Sequence, residues 1–208
     1  MEAGIDEAGR GPVIGPMVIA IVAVDDQGKL RALGVRDSKK LSPGRRRYLF
    51  GEVIRLASCA KHVLVPPGEI DRYVVANQLN ELEMEKMIEL IQSCNADVVY
   101  VDSPDPKPER FGNRLEAATG RRVIAMNEAD ALIPVVSAAS IVAKVIRDGE
   151  IDKLKKQYGD FGSGYPSDPR TTSFLASWVK EHGTLPPIVR RTWKTVDRLL
   201  GGMDKYLT

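Results

Sequence analysis

Apolar positions along the chain fall into short blocks of two different periods. The run MVIAIVAVDD (17–26) is β-branched and nearly continuous, which predicts a strand buried on both faces. A shorter stretch, EAGIDE (2–7), precedes it and leads into the Gly-rich turn GRGPVIGP. AKHVLVPP (60–67) predicts a third strand stopped by its prolines, and DVVYVD (97–102) and RRVIAM (121–126) predict two more. Between them the period changes. Ser42-Pro43 reads as an N-cap followed by proline at the first helical position, opening a helix to about Ala57. Leu79, Leu82, Met87, Leu90 and Ile91 recur at helical spacing within 77–94, with Asn77 as the expected cap. A long helix is expected over 134–158, stopped by Gly159, and two more over about 168–182 and 189–200. The resulting order, β-β-α-β-α-β-α-β and then helices, predicts an α/β protein with a mixed sheet. The Gly/Pro-rich stretch 159–169 is the best boundary, dividing the chain into 1–160 and a C-terminal helical subdomain, 161–208.

Composition narrows the class without naming a partner. With 208 residues, 43% of them hydrophobic, the chain can build one sizeable core, since domains run to roughly 100–200 residues. The charged fraction of 28% argues against disorder. Thirty basic and 28 acidic residues leave a net charge of +2, so the distribution of charge matters more than its total. The runs Arg45–Arg47 and Arg190–Arg191 suggest unspecific affinity for a duplex, with surface solvation as the plain alternative. Cys59 and Cys94 lack C-x-x-C spacing and are expected to be packed or partly exposed thiols, neither a disulfide scaffold nor a zinc site. His62 and His182 stand alone, so a His-ligated metal is not expected. No apolar run approaches the roughly 18 residues of a membrane span, and the first residues carry Glu2 and Asp6 rather than a signal segment. A soluble, cytoplasmic protein is the expectation. There is no G-x-x-x-x-G-K-[ST], and Gly9, Gly11 and Gly15 do not form G-x-G-x-x-G, which makes a nucleotide-binding ATPase a poor reading.

Four acids sit where strands end or a helix is about to begin: Asp6, Glu7, Asp102 and Asp130. Strand ends are where open α/β sheets present chemistry. Successive strand residues point to opposite faces, so Asp6 and Glu7 share a site only if their strand is ending, as the following GRG suggests. Clustered carboxylates repel one another and call for protons or cations. Hard oxygen ligands without His or Cys suit Mg²⁺ or Mn²⁺, and two such ions about 4 Å apart suit phosphodiester hydrolysis. Taken singly, Asp102 could start a turn and Asp130 could cap a helix.

The context of these acids carries more. At DEAGRGPVIGP (6–16) the sequence resembles ribonuclease HII, the type 2 ribonucleases H. The resemblance continues through DSKKLS (37–42), VDSP (101–104), NEADALIPVVSAASIVAKVIRD (127–148) and GSGYPSDP (162–169), in the family's order. The chain looks like the archaeal, single-chain kind, and the resemblance implies a ribonuclease H-like fold, a five-stranded mixed sheet flanked by helices. It also implies an endoribonuclease that hydrolyses the RNA strand of RNA–DNA hybrids and nicks 5′ of single ribonucleotides embedded in duplex DNA. The products would be a 3′-hydroxyl and a 5′-phosphate, with two Mg²⁺ or Mn²⁺ ions held by Asp6, Glu7, Asp102 and Asp130. The related ribonuclease HIII carries an extra N-terminal domain and lacks the GRG form seen here. A non-catalytic hybrid binder or clamp adaptor would be favoured by loss of one of the four acids, and all four are present.

The 2′-hydroxyl distinguishes RNA from DNA. Gly9 and Gly11 would let the backbone approach the sugar, and Arg10 would meet a phosphate. By the same resemblance Tyr165 would lie against the deoxyribose after the ribonucleotide, and Ser38 and Lys39 would contact substrate. Ser137, Ser140, Lys144 and Asp148 form one stripe on the helix 134–158, its hydroxyls small enough for close approach and Lys144 suited to a phosphate. At the end of the chain Met203, Tyr206 and Leu207 match the spacing of tails that bind the replication sliding clamp, with Leu200 where the usual glutamine would be. The short, self-contained chain is expected to be a monomer.

Overall fold

The computed structural model describes residues 1–35 and 41–203, with side chains as far as residue 201. Ser38 and Lys39, like Tyr206 and Leu207, lie outside the described residues, as does the side chain of Met203.

Five strands form one sheet in the order β3-β2-β1-β4-β5, with β1 (Glu2–Ala8), β2 (Met17–Val24), β3 (Cys59–Val65), β4 (Val98–Asp102) and β5 (Arg122–Met126). β2 pairs antiparallel with β1, whereas β4 runs parallel to both β1 and β5. Every residue of β2 is buried, as its unbroken apolar run required. Because β1, β4 and β5 are parallel, their C-terminal ends emerge along one edge of the sheet.

The helices are α1 (Gln27–Ala32), α2 (Pro43–Leu56), α3 (Pro67–Val75), α4 (Leu79–Ser93), α5 (Pro108–Thr119), α6 (Ala129–Leu132), α7 (Pro134–Tyr158), α8 (Pro169–His182) and α9 (Lys194–Met203). Ser42 Oγ accepts from Arg45 N–H at 3.2 Å and Pro43 occupies the first helical position, so α2 begins where its cap signal placed it. Asn77 does not cap α4. It follows α3 in the left-handed region, at φ 56°. α1, α3 and α6 are short and were not delimited by the pattern, since fewer than three turns leave little periodicity to read. α9 starts at Lys194 rather than 189, because Val189 is extended and bridges Ile14.

Packing divides the chain into two compact units that are discontinuous in sequence. The first comprises residues 1–8, 18–64 and 80–147. Its core joins β2 (Val18, Ala20, Val22) to Leu49 and Val53 of α2 and to Val135, Val136, Ala139 and Val142 of α7. The second comprises residues 9–17, 65–79 and 148–208. Its core gathers Val13, Ile14, Phe161, Leu175, Ile188 and Val196. In the first unit Cys59 and Cys94 form a disulfide, with Cα atoms 6.1 Å apart. This corrects the expectation of separate thiols: the pairing joins the start of β3 to the end of α4 across 35 residues, a proximity that only the tertiary fold creates.

Candidate metal and ribose-recognition site

Asp6 lies near the end of β1, Asp102 is the last residue of β4, and Asp130 stands in α6 just beyond β5. The parallel strands thus deliver three acids to one edge, where a carboxylate oxygen from each lies within 4.8 Å of the others. Local contacts fix this grouping. Asp102 Oδ1 accepts from Ala129 N–H at 3.2 Å, which draws α6 and Asp130 to the end of β4. Glu128, immediately before, takes φ 58°, a left-handed conformation uncommon outside glycine that turns the chain from β5 into α6. Asn127 Nδ2 donates to the carbonyls of Ser103 and Asp105, both at 3.0 Å, holding the segments that follow β4 and β5 together. Asn127 was not among the candidates read from the sequence, although it stands within the NEAD block.

α7 packs directly on the Asp6 side of β1. Gly4, two residues before Asp6, leaves no room for a side chain: a Cβ there would overlap the backbone carbon and oxygen of Val135. Such close approach lets Ser140 donate a hydrogen bond to Asp6, while Lys144 Nζ donates to Ser140 Oγ at 2.6 Å. Asp6 also accepts from Glu7 N–H at 2.7 Å. Burial above all pushes the Asp6 carboxyl up to about 7, opposed by the Ser140 hydrogen bond. Repulsion from Asp102 and Asp130 raises it further, and Lys144 lowers it. Ser137 and Ser140 are buried, Lys144 is half-buried and Asp148 is exposed.

Glu7 is not among the three grouped acids. β1 runs in register with β2 through Ala8 and ends there, one residue after Glu7 and just before the GRG turn. Glu7 is half-buried.

In the second unit, Gly9 at φ 85° turns the chain out of β1. Tyr165 is 42% exposed and its ring borders Gly11, where an added Cβ would meet Cε1 at 3.6 Å. Val13 N–H and Ile14 N–H both donate to the Gly164 carbonyl, at 2.8 and 3.2 Å, and so hold the GSGYP loop beside the GRG turn. Arg190 does not belong to an exposed basic run: it is fully buried, and its guanidinium donates to the carbonyls of Gly9, Arg10 and Gly15. Arg45, Arg47 and Arg191 are exposed.

Three acids converging at one edge of a mixed five-stranded sheet make a candidate metal site, and similarity to known proteins decides the family. The sequence model described as Ribonuclease HII matches residues 3–196. The chain belongs to the ribonuclease HII family. A relative named Ribonuclease HII from Caldivirga maquilingensis is 57% identical over 200 residues, covering 96% of this chain and 94% of its own. The crystal structure of ribonuclease H2 from Pyrococcus horikoshii superposes with a TM-score of 0.93 at 48% identity, covering 98% of this chain and 99% of that one. The ribonuclease HII of Archaeoglobus fulgidus, solved as a complex with PCNA, gives a TM-score of 0.90 at 49% identity and covers 96% of both chains. The fold is therefore the ribonuclease H-like α/β fold of this archaeal-type group, and the activity is that of a ribonuclease H, an endonucleolytic hydrolase. Among the described residues no helix is long and apolar enough to cross a membrane.

Proposed function

We propose that the enzyme hydrolyses the RNA strand of RNA–DNA hybrids and nicks duplex DNA 5′ of an embedded ribonucleotide, leaving 3′-hydroxyl and 5′-phosphate ends. The observation that carries the hydrolytic part is the convergence of Asp6, Asp102 and Asp130, with Asp6 pushed up to about 7 by its burial and its acidic neighbours. An all-oxygen set in which Asp6 resists ionising fits hard divalent cations. Asp6, Asp102 and Asp130 would hold Mg²⁺ or Mn²⁺, with Glu7 assigned as a fourth ligand by the family resemblance. Two ions there would supply a metal-bound water nucleophile and neutralise charge on the phosphodiester. The chain's own residues prepare the site. Ser140 and Lys144 orient the Asp6 carboxylate through their linked hydrogen bonds. Ser137 lies buried one turn before Ser140, on the same face of α7.

Ribonucleotide sensing falls to Gly9, Arg10, Gly11 and Tyr165, which lie together in the second unit. Their backbone amides and the tyrosine hydroxyl can contact a 2′-hydroxyl, and Arg10 can contact a flanking phosphate. Lys144, Ser38 and Lys39 are assigned to substrate on the same resemblance. In this division of labour residues 1–160 carry the catalytic acids, and the helical stretch 161–208, one part of the second unit, contributes Tyr165. The PCNA complex of the A. fulgidus relative supports a sliding clamp as partner; Met203, Tyr206 and Leu207 are assigned to that contact by their spacing alone. We also propose that the enzyme acts as a cytoplasmic monomer.

The test uses an end-labelled DNA duplex with one internal ribonucleotide, supplied with Mg²⁺ or Mn²⁺ and then with EDTA. Nicking 5′ of the ribonucleotide is expected only with metal and is expected to vanish in Asp6→Asn. Equal cutting of an all-DNA duplex would refute ribonucleotide sensing, and undiminished cutting in EDTA would refute the metal site.

A further inference from the structure

Arg190 is the largest fully buried side chain among the described residues, and the surroundings of its guanidinium are unusual. Nε donates to the Gly15 carbonyl at 3.1 Å, Nη1 to Arg10 at 2.8 Å and Nη2 to Gly9 at 2.5 Å. Its own backbone N–H donates to the Val13 carbonyl at 2.8 Å. Three residues on, Trp193 Nε1 donates to the Gly11 carbonyl at 2.9 Å, and the Arg190 guanidinium lies 4.9 Å from the centre of the Trp193 ring. One Arg-Trp pair therefore grips the carbonyls of all three residues of the GRG turn. Burying a guanidinium is costly unless its donors are satisfied, and here Nε, Nη1 and Nη2 each meet a backbone oxygen.

The grip has a directional consequence. The described peptide bonds are trans, and in a trans peptide the C=O and N–H of one plane point opposite ways. The plane whose carbonyl is Gly9's carries the Arg10 N–H, and the plane whose carbonyl is Arg10's carries the Gly11 N–H. With both carbonyls turned to the guanidinium, both amides are turned away from it. Two successive N–H groups facing one side form a small donor cradle for an oxygen.

We infer that Arg190 and Trp193 are positioning residues for ribonucleotide recognition: by holding the Gly9, Arg10 and Gly11 carbonyls they pre-set the Arg10 and Gly11 amides as donors to the ribose or its phosphate. The inference rests on the ribonucleotide-sensing reading above and deepens it. It also explains why Tyr165 borders Gly11: the ring and the amides would address the same junction. Asp71 supports the arrangement from α3, accepting from Arg191 N–H at 2.8 Å and from Thr192 N–H and Oγ1 at 3.1 and 2.6 Å, which pins the segment between the arginine and the tryptophan.

The experiment measures discrimination rather than activity alone. Binding of a duplex with one ribonucleotide is compared with binding of the same all-DNA duplex, by fluorescence anisotropy in the Asp6→Asn background with Mg²⁺ present. Adding Trp193→Phe keeps an aromatic ring and removes one hydrogen bond, so the preference for the ribonucleotide should fall roughly fivefold. Adding Arg190→Lys loses the planar fork and should lower it about tenfold or more. Affinity for the all-DNA duplex should hold in both, because phosphate contacts elsewhere are untouched. A ratio unchanged by either substitution, or equal losses on both duplexes, would overturn the inference and leave the pair merely structural. Should Arg190→Lys fail to fold, Trp193→Phe decides alone. If the parent protein neither nicks at ribonucleotides nor prefers them in binding, the sensing reading itself falls, and this inference with it.

Discussion

Replacing Asp6 by asparagine should make the metal-free protein more stable while it removes activity, and the gain should grow with pH. The folded carboxyl is pushed up to about 7, from an ordinary 3.8, chiefly by burial, with Asp102 and Asp130 adding repulsion. A folded value above the unfolded one means the native state holds its proton more tightly, so the unfolded chain binds fewer protons across that interval. Stability contributed by the protonated group is complete below pH 3.8 and is lost as pH rises through about 7. The rise from 3.8 to about 7 sets a ceiling on the order of 4 kcal/mol at pH 8. For a chain of this size that is roughly 8–16 °C in melting temperature. Asparagine has no charge to bury, and its carbonyl can still accept from Glu7 N–H.

The assay is a thermal melt of both proteins in EDTA at pH 4, 6 and 8, repeated at pH 8 with Mg²⁺. The two curves should lie close together at pH 4, and Asp6→Asn should melt higher at pH 8. Mg²⁺ should close most of the gap by stabilising the parent protein, since a ligand that binds only the folded state raises its stability by mass action. A gap that stays constant from pH 4 to pH 8 would refute the claim that an ionised Asp6 opposes folding. A gap indifferent to Mg²⁺ would refute cation binding by these three acids.

Gly4→Ala should destabilise the protein by about 1–3 kcal/mol and lower activity, because the new Cβ runs into Val135 backbone atoms and must push α7 from Asp6; an unchanged melting temperature would show that β1 and α7 have slack. The double variant Cys59→Ser, Cys94→Ser, or treatment with dithiothreitol, should cost about 2–4 kcal/mol while leaving cleavage at moderate temperature intact. A melt insensitive to the reductant would count against a stabilising role for the disulfide. Tyr165→Ala should impair cutting at a single ribonucleotide more than cutting of a long hybrid, and equal losses on both would reduce the ring to support for its loop. Deleting 202–208 should leave cleavage of free oligonucleotides intact while weakening binding to a sliding clamp; loss of the basal cleavage would make the tail structural.

What the sequence could disclose depended on how local the cause was. β2 is buried throughout because every one of its residues is apolar, and α2 begins at Ser42-Pro43 because cap and proline act within one turn. Asp6, Asp102 and Asp130 were readable because each closes an apolar run or opens a helix, and parallel strands must bring such ends to one edge. Glu7 shows the limit of that logic: β1 does end at Ala8, just before the glycines, yet only Asp6, Asp102 and Asp130 are grouped by their carboxylate oxygens. The disulfide and Arg190 were illegible for a different reason. Nothing within 35 residues of spacing announces that Cys59 and Cys94 will meet. Likewise Arg190-Arg191 looks like any surface pair until residues 180 positions earlier supply the carbonyls. Charge patterns identify the groups that do chemistry, because chemistry needs particular side chains. They miss the groups that hold a backbone in place, because a carbonyl has no letter in the sequence. The GRG turn joins the two kinds: its glycines are visible as a motif, while the residues that would aim its amides are visible only once the chain has folded back onto it.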